Sequence, residues 1–200
     1  PGNMRLEPIE NPSNPLLKIA YWFSRRQFGK VMMPLKVIYA RKFSLLRFAM
    51  KIGSFEENGT SLSPELRILI KIAAATENGC TFCQDMALAH SVQKKLGREK
   101  FAAIVSGDRT EAFDEKERAV LAVIRQYSSE KRVSNENFDN LRRYFSETEI
   151  VEILALNAFE HFYNALRIPL EISSDGLEKL ARRAPNLSLA NRRLNAENLS

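Results

Sequence analysis

Apolar residues recur along this chain at spacings of three and four, the period of a helix with one buried face, and no stretch shows the alternation of a half-buried strand. The clearest stripe is Leu66, Leu69, Ile70, Ala73 and Ala74. Ser63-Pro64-Glu65 opens it with an N-cap, a proline at the first helical position and an acid in the first turn, and Asn78-Gly79 ends it, so a helix is expected from there to about Thr76. The next helix carries Cys80, Cys83, Met86, Ala87, His90 and Val92 and closes through Lys94, Lys95 and Gly97. A short helix follows near Glu99 to Val105. Asp114 with Glu117, and Ser146 with Glu149, have capping-box spacing and predict helices near 115–128 and 147–167, with one more from Asn135 to Tyr144.

Upstream, Leu16 to Gly29 and Leu35 to Ile52 read as helices separated by Pro34. Tyr21, Trp22, Phe23, Phe28 and Tyr39 are assigned to a core or a subunit contact in preference to an interfacial membrane helix. Beyond Ser173 the chain turns polar, and from Ala184 to Ser200 a loosely held tail is expected. The fold class is therefore all-α.

Composition narrows the setting. With 200 residues and 44% apolar content, the chain can bury a core without disulfide staples. Its two cysteines stand three apart, unlike the dispersed cysteines of a secreted scaffold, which points to a reducing, cytoplasmic compartment. No run approaches the roughly 18 apolar residues of a membrane span, and the start lacks a leader pattern, so no membrane span and no export are expected. The net charge of +6 is spread over pairs such as Arg25-Arg26, Lys94-Lys95 and Arg142-Arg143, and no DNA-binding motif is present, so nucleic acid is not an expected partner.

Cys80 and Cys83 are the chemically distinctive residues. At i and i+3 in a first helical turn they suit reversible dithiol chemistry, because exposed N–H groups and the helix dipole stabilise a thiolate there. Two other readings stay open: half of a zinc site, completed by His90 and His161, and a pair of buried structural thiols. The zinc reading ranks below redox chemistry because those donors are badly spaced, and neither metal nor cofactor is expected. In the helix 147–167, Asn157, His161 and Asn164 form a polar stripe at spacings of four and three, read either as an interhelical or intersubunit network or as a polar wall of the cysteine pocket.

The run from Leu66 through Ala73-Ala74-Ala75-Thr76-Glu77-Asn78-Gly79-Cys80-Thr81-Phe82-Cys83-Gln84-Asp85-Met86 resembles the core of the carboxymuconolactone decarboxylase and alkylhydroperoxidase D-like superfamily. Phe113-Asp114-Glu115-Lys116-Glu117-Arg118-Ala119, Phe145 to Glu152, and Asn157 to Pro169 are similar to its peroxidase-related branch. The resemblance spans roughly residues 34–172 and implies a helical domain there, an N-terminal extension at 1–33 and a polar C-terminal tail at 173–200. It implies a homo-oligomer, which the amphipathic surface also favours, and a thiol-dependent oxidoreductase of peroxidase or disulfide-reductase type, with a hydroperoxide or disulfide substrate and a dithiol reductant protein. By family analogy, Cys83 attacks the peroxide and Cys80 resolves the sulfenic acid as a disulfide. A lactone decarboxylase ranks low, since no site for a carboxylated lactone is visible.

Relatives with peroxidase activity carry a glutamate twelve residues before the first cysteine and a histidine four after the second, and here those positions hold Ile68 and Ala87. His90 is the candidate substitute, on the same helix face as Cys83 but roughly 10 Å along the axis. Glu65, Glu77 and His161 are further candidates. The lost relay gives weight to an alternative, a non-enzymatic helical oligomer that keeps the thiols for redox sensing or packing.

Overall fold

A computed structural model describes residues 4–107 and 113–183, and these hold helices and no strand. In chain order the elements are α1 (Pro15–Phe28), a π-helical turn (Leu35–Tyr39), α2 (Phe43–Asn58), α3 (Pro64–Glu77), α4 (Thr81–Gln93), α5 (Arg98–Val105), α6 (Glu115–Glu130), α7 (Asn135–Arg142), α8 (Glu147–Arg167) and α9 (Leu177–Arg183). The local signals behave as their chemistry dictates. Ser63 Oγ accepts from Leu66 N, and the full capping box forms at both Asp114/Glu117 and Ser146/Glu149.

Two buried clusters meet along α3 and α4. One joins Leu66 to Ala74 of α3 with Phe101, Val120, Ile124, Leu141, Ile153 and Leu156 of α5 to α8. The other joins Ala75, Cys80, Phe82 and Cys83 with Leu17, Tyr21, Leu35, Val37 and Tyr39 from the N-terminal segment and Leu177 from α9. Each fully enclosed Leu or Ile contributes about 1.5–3 kcal/mol, so α3, with Leu69, Ile70 and Ile72 all sealed, is the element the bundle is built on.

Two expectations need correction. The helix expected from Leu35 to Ile52 is two elements, broken at Lys42, whose backbone is non-helical. Four of the five residues in the π turn are buried, a wider apolar face than one regular helix presents, and the break frees α2 to run elsewhere. Of the aromatics assigned to a core or a subunit contact, Tyr21, Phe28 and Tyr39 are core, and Trp22 and Phe23 are each 53% exposed, edge to face on each other. Finally, residues 173–183 are not tail: α9 packs on α4 with Leu177 fully buried. Its helix start is held by Asp85, whose carboxylate accepts from Ser174 Oγ and from the N–H groups of Asp175, Leu177 and Glu178. The expected tail at 184–200 lies outside the described residues.

Among the described residues no helix is long and apolar enough to cross a membrane.

Candidate active site

The α3–α4 junction sets the cysteines. Gly79 takes φ 72°, a conformation glycine adopts without a Cβ clash, and the chain turns so that Cys80 N reaches Ala75 O at 2.8 Å. Cys80 then serves as the N-cap of α4 and Cys83 sits one turn in, close enough for the pair to be joined as a disulfide of 2.04 Å. Only 2% of Cys80 and 3% of Cys83 is exposed. They share one buried cluster with Leu17, Tyr21, Leu35, Val37 and Tyr39 of the N-terminal segment and Leu177 of α9.

Helix α8 supplies the polar partners. Asn164 Nδ2 donates to Cys83 Sγ at 3.1 Å, and an Arg167 guanidinium nitrogen donates to the same sulfur at 3.3 Å. Arg167 is held flat by two rings, its Cζ 4.9 Å from the Phe82 centroid and 4.7 Å from that of Tyr163. Burial raises the pKa of the Tyr39 hydroxyl while the Arg167 charge opposes that shift, which brings the N-terminal segment within reach of the same cation. Of the two sulfurs only Cys83 accepts from these donors, an arrangement that favours a thiolate over a thiol at that position.

Behind Asn164 lies a buried carboxyl. The second N–H of the Asn164 amide donates to Glu160 Oε1 at 2.7 Å. Burial raises the Glu160 pKa, with Lys71 and Arg167 opposing and Glu56 adding to the rise. Lys71 is itself paired with Glu56 at 2.8 Å.

Toward the surface, Asn78 donates to Asn164 Oδ1 at 2.8 Å and lies 3.1 Å from His161 Nδ1. His161 Nε2 faces Ser128 Oγ at 3.4 Å, and burial, aided by the Lys131 charge, lowers the imidazole pKa. Asn78, His161 and Asn164 line an open depression of about 260 Å³ with Ala165, Ile168 and Pro169. The polar stripe is therefore continuous with the cysteine site at Asn164 and with solvent at His161. Asn157 belongs to neither; it is buried with Oδ1 unpaired.

Residues 43–126, which include both cysteines, match the carboxymuconolactone decarboxylase family. Over that stretch the chain is similar to this family. Its fold is shared with a cysteine-to-alanine variant of the debrominase Bmp8 in complex with 2,3,4-tribromopyrrole, at a TM-score of 0.75 and 20% identity over 92% of this chain and 98% of that one. It is also shared with an uncharacterised peroxidase-related protein from Silicibacter sp. TM1040, at a TM-score of 0.77 and 17% identity over 89% and 95% of the two chains. In sequence, the uncharacterised Escherichia coli (strain K12) protein YnjA is 22% identical over 167 residues, 81% of this chain and 90% of YnjA. A bonded cysteine pair within this superfamily fold fits a thiol-dependent redox role.

Ile68 and Ala87 are both buried, so the two positions of the usual relay are apolar in space as well as in sequence. No hydrogen bond joins His90 to either cysteine among the described residues. Its imidazole pKa is lowered from 6.5 to about 3 by burial and by Lys71 and Lys94, Glu57 opposing. Glu77 is exposed and pairs with Arg125 at 3.4 Å, and Glu65 sits half-buried in the first turn of α3. No cluster of three His, Cys, Asp or Glu side chains that could hold a metal forms among the described residues.

Sequence reasoning passed over Glu160 and Arg167. The signal was present: residues 160, 164 and 167 are spaced four and three, so they share one helix face in the middle of an apolar stretch.

Proposed function

We propose that this chain is a thiol-dependent oxidoreductase that cycles Cys80 and Cys83 between dithiol and disulfide, with a hydroperoxide or a disulfide as oxidant and a dithiol protein as reductant. The observation that carries this reading is the pair of donors, Asn164 and Arg167, converging on one sulfur of the bonded pair. In the reduced state that arrangement favours a Cys83 thiolate over a thiol. The thiolate attacks the peroxide, the O–O bond breaks, and the departing alkoxide takes a proton. Cys80 then displaces water from the resulting sulfenic acid and the disulfide closes. A dithiol returns two electrons and two protons. With Ile68 and Ala87 at the relay positions, turnover is expected to be slow.

A second reading, a redox sensor that reacts once and is read by a partner, is favoured by the burial of both sulfurs. The deciding experiment is thiol counting by mass analysis of the folded protein before and after one equivalent of hydroperoxide, followed by turnover with a dithiol reductant. Loss of two hydrogens from the peptide holding Cys80 and Cys83, with repeated turnover that Cys83→Ser abolishes, supports the enzyme. A single reducible event without turnover supports the sensor, and two unreactive thiols reject both. Because the Bmp8 fold matches nearly the whole chain, a brominated pyrrole belongs in the substrate panel beside the hydroperoxide and the disulfide.

A further inference from the structure

The carboxyl of Glu160 is buried, where an ionised acid costs stability. It accepts a hydrogen bond from the Asn164 amide, the same group that donates to Cys83 Sγ. We propose that Glu160 is a positioning residue that stores a proton when the cysteine pair is reduced and releases it when the disulfide closes. This rests on the dithiol cycle proposed above.

The argument is electrostatic. In the disulfide state Cys83 carries no charge, and Glu160 faces two cations, Lys71 from α3 and Arg167 from its own helix, against one other acid, Glu56 from α2, and the neutral hydroxyl of Tyr163. On this proposal Glu160 is a carboxylate in the disulfide state, its charge opposed by burial and favoured by the two cations and the Asn164 amide. Reduction places a thiolate at Cys83, on the other hydrogen of the same amide and beside the same Arg167. Two anions sharing one donor and one cation in a dry site do not both stay ionised, and the proton goes to the group whose surroundings stabilise its anion less. Arg167 touches the sulfur directly, so the thiolate keeps the cation and the carboxyl takes the proton.

The balance is complete with a small dithiol as reductant. Its two S–H bonds break and its own disulfide forms, and the Cys80–Cys83 bond takes the two electrons. One proton ends on the Cys80 thiol and the other on Glu160, while Cys83 stays a thiolate. Without an ionisable side chain at 160, that second proton goes to solvent.

The test reduces the folded protein with dithiothreitol in weak buffer near neutral pH, counting thiols and released protons together. Wild type should yield two thiols per chain with almost no net proton release, and Glu160→Gln should yield two thiols with about one proton released. An infrared difference spectrum of wild type should gain the carbonyl stretch of a protonated carboxyl on reduction. That band should vanish in Glu160→Gln and shift in Glu160→Asp, which also covers the case in which the glutamine variant does not fold. Equal proton release from wild type and Glu160→Gln, or a wild-type spectrum with no such band, overturns the proposal while the dithiol cycle stands. A pair that dithiothreitol cannot reduce in the folded protein instead overturns the dithiol cycle, and this proposal falls with it.

Discussion

Asn164 Nδ2 stands 3.1 Å from Cys83 Sγ while its Oδ1 accepts from Asn78 at 2.8 Å, so a single amide ties the sulfur of α4 to the end of α3. With its other hydrogen on Glu160, every hydrogen of the amide group is committed, and its rotation is fixed. A hydrogen bond to a charged acceptor contributes about 1.5–3 kcal/mol. Asn164→Leu should therefore raise the thiol pKa of Cys83 by about one to two units. The pH dependence of alkylation of the reduced protein measures this directly, and an unmoved midpoint would assign thiolate stabilisation to Arg167 alone.

The fold was legible because its helices announce themselves locally. Ser63-Pro64-Glu65, Asp114 with Glu117 and Ser146 with Glu149 place three helix starts from hydroxyl, carboxyl and proline chemistry that needs no tertiary contact. The start of α9 was missed although Asp175 with Glu178 has capping-box spacing, and the cap that forms comes instead from Asp85, ninety-odd residues earlier in the chain, which no local pattern reveals. The site divides in the same way. The Cys80–Cys83 spacing is local and was read, whereas the pairing of Cys83 with α8 depends on how two helices pack. His90 shows the limit of face arguments, since sharing a helix face with Cys83 did not bring it to the sulfur.

Asp85 should matter more to the C-terminal segment than to the bundle. Its carboxylate accepts three backbone N–H groups and the Ser174 hydroxyl, and Asp175 in turn pairs with Lys30 at 2.7 Å and accepts from Met33 N, tying the segment to the N-terminal region. Asp85→Asn removes the charge and turns an N–H group toward the capped amides. A loss of about 1.5–3 kcal/mol is expected. Hydrogen exchange should show residues 174–183 opening first, with α3 and α8 protected as before. Uniform loss of protection across the chain would mean that α9 and the bundle unfold as one unit.

His90 gives a pH dependence with a definite sign. Its imidazole has an ordinary pKa of 6.5 and a folded-state value of about 3, because burial and the Lys71 and Lys94 charges oppose the imidazolium. Between those values the unfolded chain binds a proton that the native chain does not, so stability rises with pH across this window and falls on acidification through it. His90→Gln removes this contribution. Urea midpoints at neutral pH and at about pH 4 should therefore differ less in the variant than in wild type. Equal acid sensitivity would trace the effect to other groups and place His90 in a site that accepts its charge.

The apolar relay positions make the last prediction the most direct test of how far the protein has moved from peroxide turnover. Ile68 lies on α3 and Ala87 one turn beyond Cys83 on α4, each 4% exposed, so neither can pass a proton to the pair. General acid–base assistance contributes typically about 10²–10⁴-fold. If its absence limits the wild type, the double variant Ile68→Glu/Ala87→His should consume a simple hydroperoxide faster by a measurable part of that range, still dependent on Cys83. A new buried glutamate costs stability, so the comparison is made at a temperature where both proteins are folded by circular dichroism. Wild-type turnover that is already fast, and unchanged by His90→Ala, would place the working base elsewhere, with Glu160 behind Asn164 the first residue to substitute. A folded double variant as slow as wild type would instead put the limit at access, since both sulfurs are buried and no relay can act on a peroxide that does not reach them.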